Sequence, residues 1–161
     1  GVAARVAAVD GVAYARSNTY MNTSGEAVGP LAALLGVPPE RVVVVHDELD
    51  LPPGKVRIKL GGNENGHNGL KSITAALGTR DYARVRVGIG RPPQGTAVPD
   101  WVLAPFGDAA DPATVTDPAT AATDPTTPGE VGAVIELAAE AVRVIVRDGI
   151  AKAQNEIHPR S

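Results

Sequence analysis

The 161-residue sequence contains no cysteine, which excludes disulfide bonds and metal sites built from thiolates. Aromatic residues make up only 3% of the chain, so its core must consist mainly of valine, leucine, isoleucine and alanine. No apolar run approaches the roughly 18 residues of a transmembrane helix, and the first residues lack the charged-then-apolar pattern of a secretory signal. Together these absences predict a cytoplasmic protein without a membrane segment.

The basic residues are unevenly distributed along the chain. The net charge of −3 by itself argues against a nucleic-acid partner. Between Lys55 and Arg91, however, eight basic residues stand against two acids, Glu64 and Asp81. The eight are Lys55, Arg57, Lys59, Lys71, Arg80, Arg84, Arg86 and Arg91. Such an excess attracts phosphate groups, although a run of charges is also typical of an ordinary solvated face. Both interpretations are open at this point.

A run of valines marks the predicted centre of the fold. Arg41 to Val45 follows two prolines and is dominated by valine, which predicts a central, fully buried strand. The run ends in His46 and then in three acids, Asp47, Glu48 and Asp50. Because open α/β sheets bind ligands at the carboxyl ends of buried strands, we expect the site here.

A basic strand and a glycine-rich loop follow. Lys55 to Leu60 alternates basic and apolar side chains, which predicts a strand with one basic face. The loop 61–66 leads into a helix predicted over Leu70–Leu77, with Asn68 or Gly69 near its N-cap. The first N–H groups of this helix are a plausible anion site, and an ordinary capping role for Asn68 is an equal alternative.

The remaining pattern alternates strands and helices. Asp10-Gly11 between two apolar runs predicts a β-hairpin, and Ala83–Ile89 predicts a further strand with a basic face. A helix ending at Gly36 is predicted to bury the stripe Val28, Leu31, Leu34 and Leu35. Residues 107–129, rich in Asp, Ala, Thr and Pro, predict a flexible insertion. A long amphipathic helix ending at Gly149 follows, and its predicted buried stripe includes Ile135 and Val146. The whole pattern predicts one α/β domain over residues 1–161, with a mixed twisted sheet flanked by helices.

Four motifs, in this order, resemble those of bacterial peptidyl-tRNA hydrolase. They are YMNTSG from Tyr20, HDELDLPPG from His46, GHNGL from Gly66 and RVGIGRP from Arg86. The similarity runs from about Gly1 to Phe106 and resumes in the last helix. The resemblance implies a monomeric cytoplasmic α/β enzyme, without a metal or other cofactor. It implies cleavage of the ester bond between a nascent peptide and tRNA.

The resemblance also implies roles for individual residues. Asp47 matches the carboxylate that orients the family's catalytic histidine, which activates water as a general base. Asn22 and Asn68 match the asparagines that hold the peptide and the 3′ end of the tRNA. Tyr20 and Met21 look like walls of the same crevice.

Two further matches concern the tRNA itself. Lys59 and Arg86 resemble the basic pair that grips a tRNA phosphate, which would account for the local positive charge. Peptidyl-tRNA is therefore the expected partner.

The sequence also departs from the family pattern. The family's catalytic histidine follows a Gly-Asn-Pro-Gly loop in an N-terminal segment, and neither is present here, so we expect this chain as it stands to be inactive. Asn63 and Asn65 replace glycines usual in the family. One interpretation is a peptidyl-tRNA hydrolase that lacks this segment here, and another is a non-catalytic RNA-binding relative. A metal-dependent hydrolase is a third; its ligands would be His46, Asp47, Glu48 and His67.

Overall fold

The computed structural model describes residues 3–92, 94–95 and 128–161. These residues form strands and helices of an α/β protein, which confirms the predicted fold class. The predicted insertion 107–129 lies outside the described residues, except that its last two residues begin a helix. The chain divides into two compact units, one of residues 1–44 and 60–83 and the other of residues 45–59 and 84–161. A single domain over the whole chain stays a prediction.

The described elements follow one another in a mixed order of strands and helices. They are β1 Ala4–Val9, β2 Val12–Ser17, α1 Gly25–Leu35, β3 Val43–Glu48, β4 Val56–Leu60, α2 Asn68–Leu77, β5 Ala83–Gly88, α3 Pro128–Asp148 and α4 Ile150–Ile157.

In the first unit, β1 and β2 form an antiparallel hairpin that pairs Val9 with Val12. Its two-residue turn has positive φ at both positions, 51° at Asp10 and 77° at Gly11. This is the backbone geometry of a type I′ turn, for which Asp-Gly is a preferred pair. The predicted hairpin is confirmed.

Helices α1 and α2 of the same unit approach each other through small residues. The Gly25 N–H donates to Ser72 Oγ at 2.8 Å, and a Cβ at Gly25 would lie 2.6 Å from the Ser72 carbonyl carbon. The predicted leucine stripe of α1 is therefore wrong in part. Leu34 is 73% exposed, whereas Gly25 and Ala27 are buried, because the helices meet backbone to backbone.

Three buried residues form the core of the first unit: Leu70, Ile73 and Tyr82. The Tyr82 hydroxyl donates to the Leu70 carbonyl at 3.3 Å and lies 3.0 Å from Thr74 Oγ1. The hydroxyl of the buried Tyr82 thus has hydrogen-bond partners on α2, so its ring can fill the core without leaving a polar group unsatisfied.

The other sheet has three strands in the order β3-β5-β4. Hydrogen bonds at the two ends of β5 make it parallel to β3 and antiparallel to β4, which confirms a mixed sheet. The bonds are Ala83 N–H to Val42 O and Ile89 N–H to Glu48 O for β3, and Gly61 N–H to Tyr82 O and Gly88 N–H to Lys55 O for β4.

The prediction that Arg41 to Val45 is the central, fully buried strand is wrong. Among the described strands β5 is central, and β3 pairs on one side only. The strand begins at Val43, and Val45 is 51% exposed. A run of β-branched residues favours a strand, but its place in the sheet depends on pairing with distant segments, which the run does not encode.

In the second unit, α3 ends at Asp148 before Gly149, as predicted, and a second helix, α4, follows at once. Sequence reasoning missed α4. The two helices bury small and branched apolar residues: Leu137, Ala138, Ala141, Val144, Ala153 and Ile157. Ile135 and Val146 were predicted in the buried stripe but are exposed.

Candidate functional site

A short 3-10 turn, Met21–Thr23, and the residue that caps it, Tyr20, present three of the predicted site residues in the first unit. The Ser24 hydroxyl donates to the Met21 carbonyl at 2.6 Å, and the Thr23 hydroxyl donates to the Tyr20 carbonyl at 3.1 Å. These bonds fix the turn. They leave Tyr20 85% exposed, with Met21 and Asn22 also exposed beside it.

The start of α2 lies directly against this turn. A Cβ at Gly69 would lie 3.0 Å from the Met21 carbonyl oxygen, so the glycine permits this close approach. Asn68 is the first residue of the helix and is exposed. The structure therefore brings the Tyr20–Asn22 turn and Asn68 together, and their roles in binding stay predictions.

His67, rather than Asn68 or Gly69, is the N-cap of α2. Its Nδ1 accepts the Leu70 N–H at 3.2 Å, and the helix ends at Gly78 in the left-handed conformation. The prediction of an Asn68 or Gly69 cap is wrong because an imidazole nitrogen can replace the usual capping oxygen. The Asn68 side chain is thus not used as the cap, while an anion site at this terminus stays a prediction.

A buried carboxylate anchors the glycine-rich loop that precedes α2. Glu64 accepts a hydrogen bond from Arg80 Nε at 2.9 Å, and this bond lowers the pKa of Glu64 to about 2, against the opposing effect of burial. Asn65 has φ 52°, so one of the two asparagines that replace glycines adopts the left-handed conformation. The Asn63 side chain accepts the Asn65 N–H at 3.1 Å and stabilises the loop locally.

The other predicted site residues, Asp47, Lys59 and Arg86, lie in the second unit. The bond from Ile89 N–H to Glu48 O places Asp47 beside Val87 and His46 beside Arg86 in the parallel pair. Because neighbouring side chains on a strand point to opposite faces, Asp47 and Arg86 lie on opposite faces of the sheet.

Lys59 and Arg86 share one face. In the antiparallel pair, the bond from Gly88 N–H to Lys55 O sets Arg57 opposite Arg86 and Lys59 opposite Arg84. Lys59 is therefore a diagonal neighbour of Arg86. Both are partly exposed, so they belong to the accessible part of the predicted basic face.

The predicted basic patch of eight residues is smaller in the structure. Arg84 is only 1% exposed, Arg80 is bonded to Glu64, and Arg91 forms an ion pair with Asp50. Arg84 belongs to the central strand, where the alternation of basic and apolar residues does not separate exposed from buried faces. The prediction of a basic β5 face therefore holds for Arg86 and is wrong for Arg84.

The acids at the end of β3 and just after it do not behave alike. Glu48 is buried, and burial raises its pKa, with a further increase from the neighbouring Asp50 carboxylate and a partial opposing effect of Arg86. His46 is buried as well, and its Nδ1–H donates to the Asp47 carbonyl at 2.7 Å. The described residues contain no cluster of three or more histidines and acids that could hold a metal ion. In the same ranges, no helix is both long and apolar enough to cross a membrane.

Sequence reasoning missed a set of polar side chains at the end of the chain. Gln154, His158 and Ser161 donate to or accept from the backbone of β4. Their spacing of three to four residues along a helix was the available signal, because it places them on one face.

Comparisons with known proteins agree with these motifs. A family model described as peptidyl-tRNA hydrolase matches residues 2–128. The chain is 56% identical over 150 residues to peptidyl-tRNA hydrolase 2 of Corynebacterium glutamicum, covering 93% of this chain and 63% of the relative. It is 50% identical over 145 residues to peptidyl-tRNA hydrolase 2 of Corynebacterium jeikeium, covering 90% of this chain and 55% of the relative. The chain thus spans less than two thirds of the length of either relative.

A solved structure gives the same result. The crystal structure of peptidyl-tRNA hydrolase from Acinetobacter baumannii superposes with a TM-score of 0.71 at 29% identity, covering 95% of this chain and 70% of that one. The match of the family model over most of the sequence and the high identity to the two relatives decide the assignment. The chain belongs to the peptidyl-tRNA hydrolase family.

Proposed function

We propose that this protein hydrolyses the ester bond between the peptide and the tRNA in peptidyl-tRNA, as a monomer in the cytoplasm. The observation that carries the proposal is the close approach of the Met21 turn to the start of α2, which sets exposed Asn22 and Asn68 at one place. These are the asparagines that the resemblance assigns to the peptide and the 3′ end. The chain's membership of the peptidyl-tRNA hydrolase family supports the same reaction.

The chemistry requires a donor for the ester carbonyl and a base for the attacking water. Amide side chains such as those of Asn22 and Asn68 donate hydrogen bonds to carbonyl and phosphate oxygens. A histidine with a pKa near neutrality is suited to deprotonate water, and the Asp47 carboxylate is proposed to hold it in the reactive orientation.

The three histidines of the sequence are each engaged with the backbone. His46 Nδ1–H donates to a carbonyl, His67 Nδ1 accepts the Leu70 N–H, and His158 Nε2 accepts the Ile58 N–H. Each of these bonds fixes one ring nitrogen in a structural role. This favours a general base other than these three, in keeping with the family's N-terminal catalytic histidine.

The substrate class is tested with the chain preceded by the family's Gly-Asn-Pro-Gly segment and its histidine, by the rate at which this protein releases amino acid from blocked and unblocked tRNA. N-acetylated aminoacyl-tRNA, which mimics a peptide, should be cleaved, and aminoacyl-tRNA with a free amine should be cleaved more slowly. Asn68→Ala should lower kcat/KM by about 10²- to 10³-fold, since loss of one donor to developing negative charge costs about this much. Lys152→Ala, an exposed change on α4, is the matched control. Equal cleavage of both substrates would contradict the proposal.

A further inference from the structure

The outer edge of β4 is covered by side chains instead of by another strand. Val56 N–H donates to Ser161 Oγ at 3.0 Å, and the same hydroxyl donates to Val56 O at 3.2 Å. Ile58 N–H donates to His158 Nε2 at 2.9 Å, and Gln154 Nε2 donates to Ile58 O at 3.1 Å. Every backbone group of Val56 and Ile58 on this edge is thus bonded. An uncovered edge would present these groups for pairing with another chain.

The same segment also binds the Arg57 guanidinium. Arg57 Nη1 donates to Ser161 Oγ at 2.8 Å and to Val56 O at 2.9 Å, and Nη2 donates to Ser161 O at 3.1 Å. Arg57 stands opposite Arg86 across the strand pair. These bonds draw Arg57 toward the edge, whereas Arg86 and Lys59 are partly exposed on that face, where they can meet an outside anion.

Two buried residues hold this segment in place. Ala153 and Ile157, each directly preceding one of the bonded polar residues Gln154 and His158, are both fully buried. The helix is therefore fixed against the second unit by packing, and its polar side chains meet β4 in a defined register. The set Gln154, His158 and Ser161 is called the edge clamp below.

We infer that the edge clamp positions β4, and with it Lys59, for binding a tRNA phosphate, and that His158 is the positioning residue whose neutral imidazole closes the clamp. This inference rests on the proposed function. Only a neutral imidazole can accept the Ile58 N–H, since a protonated ring has donors at both nitrogens. Protonation of His158 Nε2 would place its N–H against the Ile58 N–H, and the hydrogen bond at the centre of the β4 edge would break.

The surroundings of His158 keep it neutral near pH 7. Burial lowers its pKa, and the positive charges of Arg57 on β4 and Arg86 on β5 lower it further. The described charged groups that act on the imidazole from the packed strands are thus both cations. The clamp should therefore open at a lower pH than an unperturbed histidine would set.

The inference predicts an unusual pH dependence of tRNA binding. Protein–RNA affinity ordinarily rises on acidification because histidines gain positive charge. Here it should fall about fivefold between about pH 8 and about pH 5, the equivalent of one net hydrogen bond. His158→Gln, whose amide oxygen can accept the Ile58 N–H without titrating, should keep the affinity at pH 8 and lose this fall. His158→Leu should bind tRNA weakly at both pH values.

A second measurement is independent of tRNA. Amide hydrogen exchange of the free protein should show a protected Ile58 N–H at pH 8, with protection retained in His158→Gln and reduced about tenfold in His158→Leu. Lys152→Gln, on the exposed side of α4, should match the unchanged protein in both measurements.

The outcomes separate the two proposals. Failure of the unchanged protein to bind tRNA at pH 8 would contradict the proposed function. Unchanged Ile58 protection in His158→Leu would overturn the edge clamp, and so would a tRNA affinity that rises on acidification equally in the unchanged protein and His158→Gln.

Discussion

At the scale of single residues, the ion pair between Glu64 and Arg80 shows how one buried charge fixes a loop. Glu64 is 4% exposed and Arg80 is 60% exposed, so the carboxylate depends on a partner that reaches in from the surface. Removing that partner leaves a buried acceptor without its strongest donor. The loop it anchors leads directly to His67 and Asn68.

Arg80→Ala is therefore expected to lower the free energy of unfolding by about 1–3 kcal/mol at pH 7, the cost of an unsatisfied buried group. Urea denaturation measures it. Arg143→Ala, which removes an exposed pair with Glu140, is the control and should cost about 0.5 kcal/mol or less. Equal losses in the two variants would show that the burial of Glu64 has no energetic consequence.

The same pair predicts a pH dependence. Because the pKa of Glu64 is lowered from 4.5 to about 2, its contribution to stability is complete above pH 4.5 and is lost as pH falls toward 2. Denaturation at a series of pH values should show a shallower decline over this window in Arg80→Ala than in the unchanged protein. Parallel curves would contradict the assignment of the pKa shift to this pair.

Two glycines test the packing of the helices. Gly25→Ala should destabilise the protein by about 3 kcal/mol or more, because its Cβ would overlap the Ser72 carbonyl in a tightly packed contact. In Gly132→Ala in α3, the new Cβ would meet no atom of the described residues within 4 Å outside its own helix backbone, so the change should stabilise the protein by about 0.5–1 kcal/mol. Thermal unfolding of both variants tests these two expectations. A Gly25→Ala protein as stable as the unchanged one would exclude the close approach of the helices.

At the scale of elements, the sequence was sufficient where local chemistry determines the structure. The Asp10-Gly11 turn connects the two strands of the predicted hairpin. The left-handed glycines at 36 and 78 end the two predicted helices. Each depends on backbone preferences of one or two residues. The motif matches likewise selected the turn at Met21 and the start of α2, which the structure places in contact.

The errors concern arrangements that distant pairing decides. The local sequence predicts a buried Val45 and an exposed Arg84. The strand order reverses both, so Val45 is exposed and Arg84 is buried. The edge clamp was missed because the role of its polar side chains depends on which strand edge α4 covers. No periodicity within α4 indicates that edge.

The strand pair β4–β5 carries the prediction for tRNA binding. Lys59→Ala and Arg86→Ala should each weaken tRNA binding and flatten the slope of log affinity against log salt by about 0.7–1 unit, because each neutralises one phosphate. Lys152→Ala should leave the slope unchanged. An unchanged slope in both strand variants would leave this face an ordinary solvated surface.

At the scale of the whole molecule, the chain spans 63% and 55% of the length of its two Corynebacterium relatives. It carries Asp47, Asn22 and Asn68 but none of its histidines matches the position of the family's catalytic histidine. We therefore expect these 161 residues to bind peptidyl-tRNA but to cleave it slowly, because the histidine proposed as the base is not among them.

The most direct test of this account is peptide release from N-acetylated aminoacyl-tRNA by two proteins. One is the 161-residue chain, and the other is the same chain preceded by the family's Gly-Asn-Pro-Gly segment with its histidine. General acid–base groups contribute about 10²- to 10⁴-fold, so the shorter chain should be slower by at least this factor, and Asp47→Ala should remove most activity of the longer one. Robust turnover by the shorter chain, abolished by His67→Ala, would contradict the account and identify His67 as the base.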